Sequence, residues 1–283
     1  MRHFTTLLAL SAGLWAGSAD LEQARKLYNL TNFDESLKVL QQIPSKDAAV
    51  FALMGRNYYM IGEYKRATEV MEHAVAAEPG SSEYCLWLAR AYGRRAETSS
   101  PFTAPGQASK ARQYFEKAVQ IDPHNAEAMS DLFEYYLEAP GFLGGGMDKA
   151  QSLIPRISAI SPAEGHWAES RIAEKRKEYG DAEEQLRRAI DSAPQKVGKL
   201  IDLAKFLARQ GRIQEADQSL AKADALAPGA PRLLYARADL YIRTGRNRGE
   251  ARQLLQRYLG SKLTPDDPPR SEAMKLLKQV QGS

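Results

Sequence analysis

Apolar positions recur at helical spacing in short stretches that come in pairs, and small residues mark where the two patterns of a pair meet. Ala67, Ala111, Ala150, Ala182, Ala216 and Ala251 hold that place, and Ser36 holds it in the first pair. Seven residues after most of them stands another small or apolar residue: Ile43, Ala74, Ala118, Ile157, Ala189, Ala223 and, less typically, Tyr258. Prolines follow twelve residues after, at Pro79, Pro123, Pro162, Pro194 and Pro228. Upstream, Gly55, Ala89, Phe133, Ser170, Ala204 and Ala238 share a column, with Tyr58, Tyr92, Tyr136, Leu207 and Tyr241 three residues later. Small residues let antiparallel helices approach closely, and an aromatic ring fills the space beside them. The proline ends each pair, because it cannot continue a helix. The pattern predicts an all-α chain built of repeated helix pairs.

These columns resemble the tetratricopeptide repeat (TPR) family, whose 34-residue unit has small residues at its eighth, twentieth and twenty-seventh columns and proline at its thirty-second. The cleanest copies run from Ala48 to Ser81, turning at Gly62-Glu63-Tyr64, and from Val197 to Ala230, turning at Gly211-Arg212-Ile213. The resemblance implies a right-handed α-solenoid of about seven TPR units: 17–47, 48–81, 82–125, 126–162, 163–196, 197–230 and 231–265. The fifth has an irregular first helix around Gly165-His166-Trp167. Asp267 is the expected cap, and Pro268 the first residue, of a capping helix with an apolar stripe of Ala273, Leu276, Leu277 and Val280. Pro155 falls inside the second helix of the fourth unit, where it predicts a kink.

The chain start reads as a targeting segment spanning residues 1–19. Met1-Arg2-His3 is followed by an apolar stretch from Phe4 to Trp15, too short to span a bilayer, and by the small residues Gly17-Ser18-Ala19. Cleavage after Ala19 and export to the periplasm or medium are expected. Of 283 residues, 39 Lys and Arg face 35 Asp and Glu, a balance of +4 without the dense basic stripe of a nucleic-acid binder. Cys85 is the only cysteine, which excludes an intramolecular disulfide and a cysteine-based zinc cage. It falls in a buried column, as an inert core thiol.

On the first helix of each unit, columns 4, 7, 8 and 11 carry the packing stripe, and columns 5, 9, 12 and 13 a second stripe rotated by about 100°. In TPR proteins this second stripe faces the concave groove. Column 9 reads Arg25, Arg56, Arg90, Glu134, Arg171, Lys205 and Asp239; column 13 reads Asn29, Met60, Arg94, Glu138, Lys175, Arg209 and Arg243. The result is a basic groove with an acidic interruption in the fourth unit. Tyr28, Tyr59, Trp167 and Tyr235 add amphipathic surface of the kind that anchors partners. The expected partner-binding residues are Arg25, Arg56, Tyr59, Arg90, Arg94, Trp167, Arg171 and Lys205. Against this stands a solvation role, in which long cationic side chains simply cover helix surface. The family's carboxylate clamp is absent, since Ala52 pairs with Arg56 and Leu86 with Arg90 where it needs Lys and Asn.

Two adjacent units lengthen their internal turn, at Ala96–Gly106 and Ala139–Gly146, and both place a phenylalanine there. Phe102, Phe142 and Leu143 therefore either cover helix ends or form a recognition patch at one edge. Gly141 and Gly146 have phosphate-loop spacing, but Met147-Asp148 follows where Lys and Ser or Thr are required, and no strand precedes. The glycines instead suit positive backbone angles in a tight turn. His73, His124 and His166 stand alone. No catalytic residues, metal or cofactor are expected. The chain reads as a non-enzymatic scaffold, resembling exported or envelope-associated TPR proteins of undefined role. It would bind a peptide segment or partner domain, an acidic peptide segment among them; the alternative is an anionic exported polymer such as a polysaccharide.

Overall fold

A computed structural model describes residues 18–281, and every regular element among them is helical. The expected leader and its apolar stretch lie outside the described residues, apart from residues 18 and 19, which open the first helix, α1 (18–29). There follow α2 (Phe33–Gln42), α3 (Ala48–Met60), α4 (Tyr64–Ala77), α5 (Ser82–Thr98), α6 (Ala104–Ile121) and α7 (Ala126–Glu138). A 3-10 turn at Gly141–Leu143 leads to α8 (Met147–Ile160), α9 (Pro162–Lys175), α10 (Tyr179–Ser192), α11 (Val197–Arg209), α12 (Ile213–Leu226), α13 (Pro231–Arg243), α14 (Arg248–Gly260) and α15 (Arg270–Gln281). Helices pack on their neighbours in sequence, most extensively α3 on α4, α9 on α10, α11 on α12 and α13 on α14.

The helices divide into two compact bodies. One holds the described residues up to Tyr114 together with Lys262–Pro269; the other holds Phe115–Ser261 and α15. In each body the small-residue columns lie buried in the core. Ala67, Ala111, Ala150, Ala182, Ala216, Ala251 and Ser36 are all at 0 % exposure. Ser36 donates to the Ala24 carbonyl at 2.9 Å and accepts from Asn57 Nδ2 at 3.1 Å, a polar link where later units have methyl groups. Cys85 is buried.

Local sequence explains the helix ends. Asp47, Ser81, Asn125 and Ser161 each accept the backbone N–H three residues on, satisfying a donor that a helix start leaves unpaired. Five first helices stop by one device. A residue with positive φ (Thr31, Gly62, Lys177, Gly211 or Gly245) is followed by an amide that donates five residues back, as in Glu63 N to Tyr58 O at 2.8 Å and Glu178 N to Ala173 O at 2.9 Å.

Four expectations change. The long turn of the third unit is mostly helix, because α5 runs on to Thr98 and α6 begins at Ala104, leaving five residues between them. The irregularity expected at Gly165 is a regular helix start. Ser161 alone separates α8 from α9, and a Cβ at residue 165 would lie 2.1 Å from Ser158 Oγ, so glycine there permits close approach rather than a break. The last helix, α15, starts at Arg270 and not at Pro268, and Asp267 accepts from Thr264 N and Oγ1 at 2.9 and 3.0 Å. In the glycine-rich turn Gly144 alone has φ in the left-handed region, whereas Gly145 is required because a Cβ would meet the Ala139 carbonyl at 1.8 Å. As for Pro155, α8 runs uninterrupted through it from Met147 to Ile160.

Candidate functional site

The first body concentrates aromatic rings and arginines on the first helices of consecutive units. On α3 and α5, Arg56 and Arg90 each lie 5.1 Å from the Trp87 ring centroid. Cations over an indole are attracted by its quadrupole, by about 0.5–1 kcal/mol at exposed sites and more where water is excluded. Tyr59 meets Trp87 edge-on at 5.5 Å and Tyr64 at 5.6 Å. Arg94 lies over Tyr64 at 5.2 Å, and its Nε and second terminal nitrogen donate to the phenol oxygen at 3.3 and 3.2 Å. The rings hold the guanidinium groups against the helices, and Arg94 spends its donors on Tyr64 and Glu97. Arg56 pairs with Glu83 through one terminal nitrogen, while its Nε is buried with no hydrogen-bond partner. This strip can accept a carboxylate or carbonyl and offers flat surface beside it.

The second body arranges the same columns differently. Arg171 pairs with Glu134 at 3.1 Å and Glu138 at 2.9 Å, Lys175 with Glu138 at 2.8 Å, and Arg209 with Glu174 at 2.7 Å. Each of these bonds joins one repeat to the next. Trp167 lies under Lys199 at 5.5 Å and against Phe133 at 5.8 Å. Burial pushes the Glu134 carboxyl upward, and the Arg171 charge opposes that. Hydrogen bonds from Arg212 hold the Glu183 carboxyl below its ordinary value. Lys205 is exposed and lines a groove of about 580 Å³ with Arg209, Asp239 and Arg243, where Arg243 Nε is bonded to Asp239 at 2.8 Å.

The structure therefore brings Arg56, Tyr59, Arg90 and Arg94 together and leaves Arg25 apart, exposed and paired with Glu22 at 3.5 Å. Arg171 and Lys175, expected to make the groove basic, are matched by acids. Two stripe positions prove to be core: Met60 is buried, and Tyr28 is buried with its ring edge-on to Phe33 at 5.5 Å. Sequence reading missed Trp87. Its only signal was its place one turn before Arg90 on the same helix.

The turn phenylalanines do not cover helix ends: Phe102 is 95 % and Phe142 82 % exposed. Leu143 is half-buried, and its carbonyl accepts from Tyr135 Oη at 2.9 Å. His166 Nδ1 lies 2.8 Å from Gln185 Oε1, and His73 packs on Phe51 at 5.1 Å. Among the described residues no three His, Cys, Asp or Glu side chains converge as a metal site, and no helix is long and apolar enough to cross a membrane.

Tetratricopeptide repeat family models match residues 201–268 and 106–125. No curated protein matches the chain in sequence. Its fold is similar to that of a TPR protein from Parabacteroides merdae, with 14 % identity, 94 % of this chain and 99 % of that one covered, and a TM-score of 0.58. It is also similar to a thermophilic TPR protein of Thermus thermophilus, with 20 % identity, 68 % and 99 % coverage, and a TM-score of 0.55. The chain thus carries tetratricopeptide repeat sequence over those two stretches, and its helix pairs are arranged as in solved TPR structures.

Proposed function

We propose that the chain is a non-enzymatic protein-binding scaffold acting outside the cytoplasm, and that its ligand is an extended peptide carrying acidic side chains. The observation that carries this reading is the pair of guanidinium groups flanking Trp87, one of them with a buried donor still unfilled. An acidic side chain would take hydrogen bonds from Arg56 and Arg90, while the peptide backbone lies on Trp87 and Tyr59. In the second body Arg171 is taken up by two glutamates of the preceding unit, whereas Arg56 meets one, Glu83, and shares the face of Trp87 with Arg90, which supports placing recognition in the first. Export follows from the leader reading. N-terminal sequencing of the exported protein is expected to begin at Asp20.

The test is binding of a fluorescein-labelled, glutamate-rich peptide to the full chain, with and without Arg56→Glu and Arg90→Glu. The double variant is expected to lose binding while keeping its helix content, and wild-type affinity should fall as salt rises, since exposed charges are screened over about 8 Å at physiological ionic strength. Unchanged affinity in the double variant would return both arginines to a solvating role. Dextran sulfate serves as comparator: equal binding of the two ligands, with the same salt slope, would favour an anionic polymer over a peptide.

A further inference from the structure

Ion pairs that join one repeat to the next come in two geometries. Arg209 gives Nε and a terminal nitrogen to the two oxygens of Glu174 at 2.7 and 2.9 Å, and Arg246 gives both terminal nitrogens to Asp217 at 2.8 and 2.7 Å. Planar two-point contacts of this kind are the strong form of the pair. Arg56 and Glu83 meet at one point only, a terminal nitrogen on a single carboxylate oxygen, and the Arg56 Nε stays buried without a partner. The acid is also unusually accessible. The Glu83 side chain is 59 % exposed, against 20 % for Glu174. Glu83 lies in the first turn of α5, where Ser81 already caps the helix by accepting the Tyr84 amide at 3.2 Å, so the helix start does not depend on this carboxylate. Trp87, one turn further along α5, attracts the Arg56 guanidinium from 5.1 Å whether or not Glu83 is engaged.

We infer that Glu83 is the chain's own stand-in for the ligand carboxylate: it occupies Arg56 in the free protein and swings aside when an outside acid takes Nε and the terminal nitrogen together. The inference rests on the groove reading above and names the residue that sets how tightly that site holds an acid. An exposed one-point pair favours its closed form by a factor of about five at most, little enough for an outside carboxylate to displace. The incoming acid gains the two-point contact that Glu83 does not make, and with it a partner for the orphaned Nε. Once displaced, Glu83 leaves a like charge beside the ligand. It therefore opposes binding both as a competitor and by repulsion, which salt weakens.

The probe is the fluorescein-labelled, glutamate-rich peptide, titrated against the full chain at low salt, with a glutamine-rich peptide of equal length as control. Glu83→Gln is expected to bind the acidic peptide about fivefold more tightly than wild type, and the control no better. The gain should vanish when Arg56→Gln is added. Equal affinity of wild type and Glu83→Gln would overturn the inference, while loss of binding in Arg56→Glu/Arg90→Glu would leave the groove reading standing. A gain that persists beside Arg56→Gln would also overturn it, since Glu83 would then act through another group. Binding by Glu83→Gln where wild type shows none would support both readings, and no binding by any variant would sink both. A second measurement reads the contact itself. In protein labelled with nitrogen-15 at arginine, the Nε–H signal of Arg56, assigned by its absence from Arg56→Lys, should move downfield as peptide saturates the site. An unmoved signal at saturation would overturn the exchange of carboxylates even if the affinities behaved as expected.

Discussion

Alanine in place of glycine should have opposite signs at two helix-interior positions of the first body. A Cβ at residue 55 would lie 2.3 Å from Met71 Cγ and 2.4 Å from Met71 Sδ, and Met71 is 1 % exposed, so the sulfur side chain has to move within a closed space. Overpacking of this kind costs roughly 1–3 kcal/mol. Against it, alanine gains about 0.8–1.0 kcal/mol over glycine inside a helix. Gly55→Ala should therefore be destabilising by up to about 2 kcal/mol. A Cβ at Gly93 in α5 meets nothing within 4 Å, so Gly93→Ala should keep the whole helix gain and stabilise by about 0.8–1.0 kcal/mol. The sixth unit shows how the chain solves the same packing with alanine: the columns of Gly55 and Met71 hold Ala204 and Leu220, both buried. Met71→Leu alone should cost less than about 1.5 kcal/mol. Combined with Gly55→Ala it should leave the protein more stable than Gly55→Ala alone, by at least about 0.5 kcal/mol. Urea unfolding followed by far-UV circular dichroism reads these differences, provided the slope is unchanged between variants. A stabilising Gly55→Ala, or strictly additive effects in the double variant, would refute the close-contact argument.

Three other outcomes are expected. Lys177 turns α9 into α10 with φ of 65°, which costs a non-glycine residue about 1–2 kcal/mol, so Lys177→Gly should raise the urea midpoint after the entropy of glycine takes back part of the gain. Glu183 has its pKa lowered by Arg212, so the stability it contributes is complete above its ordinary value of 4.5 and is lost as pH falls through the lower folded value; Glu183→Gln should flatten the stability profile in that acid window and leave its shape at neutral pH unchanged. Replacing Phe102, Phe142 and Leu143 with Ser should barely move the melting temperature, since the two rings face solvent; a fall of the size produced by lost core burial would show that they pack in solution.

The fold was legible where one residue settles the local geometry. Alanines at the helix crossings and the turn glycines Gly62 and Gly211 act within a few residues of themselves. The site was less legible, because its chemistry depends on side chains about one repeat apart. Arg56 and Trp87 are joined only by the alignment of α3 on α5, and Arg171 is neutralised by glutamates 33 and 37 residues earlier. A column read singly shows a cation; only successive units read together show its acid. Gly165 and Pro268 were misread for a related reason. Glycine as a helix breaker and proline as a first helical residue are local rules, and here Ser158 on the preceding helix sets the role of Gly165, while the Thr264–Asp267 turn comes before a helix that starts only at Arg270.

The bonds from Arg171, Lys175 and Arg209 back to acids of the preceding unit also bear on how the array could change length. Excising residues 163–196 in frame would set Lys205 and Arg209 after Glu134 and Glu138, so bases would again follow acids and no like charges would be forced together. Glu183, the acid that holds Arg212, would go with it, and the fourth unit has Gln151 in that column, so the shortened array would keep its first-helix charge ladder at the loss of one second-helix pair.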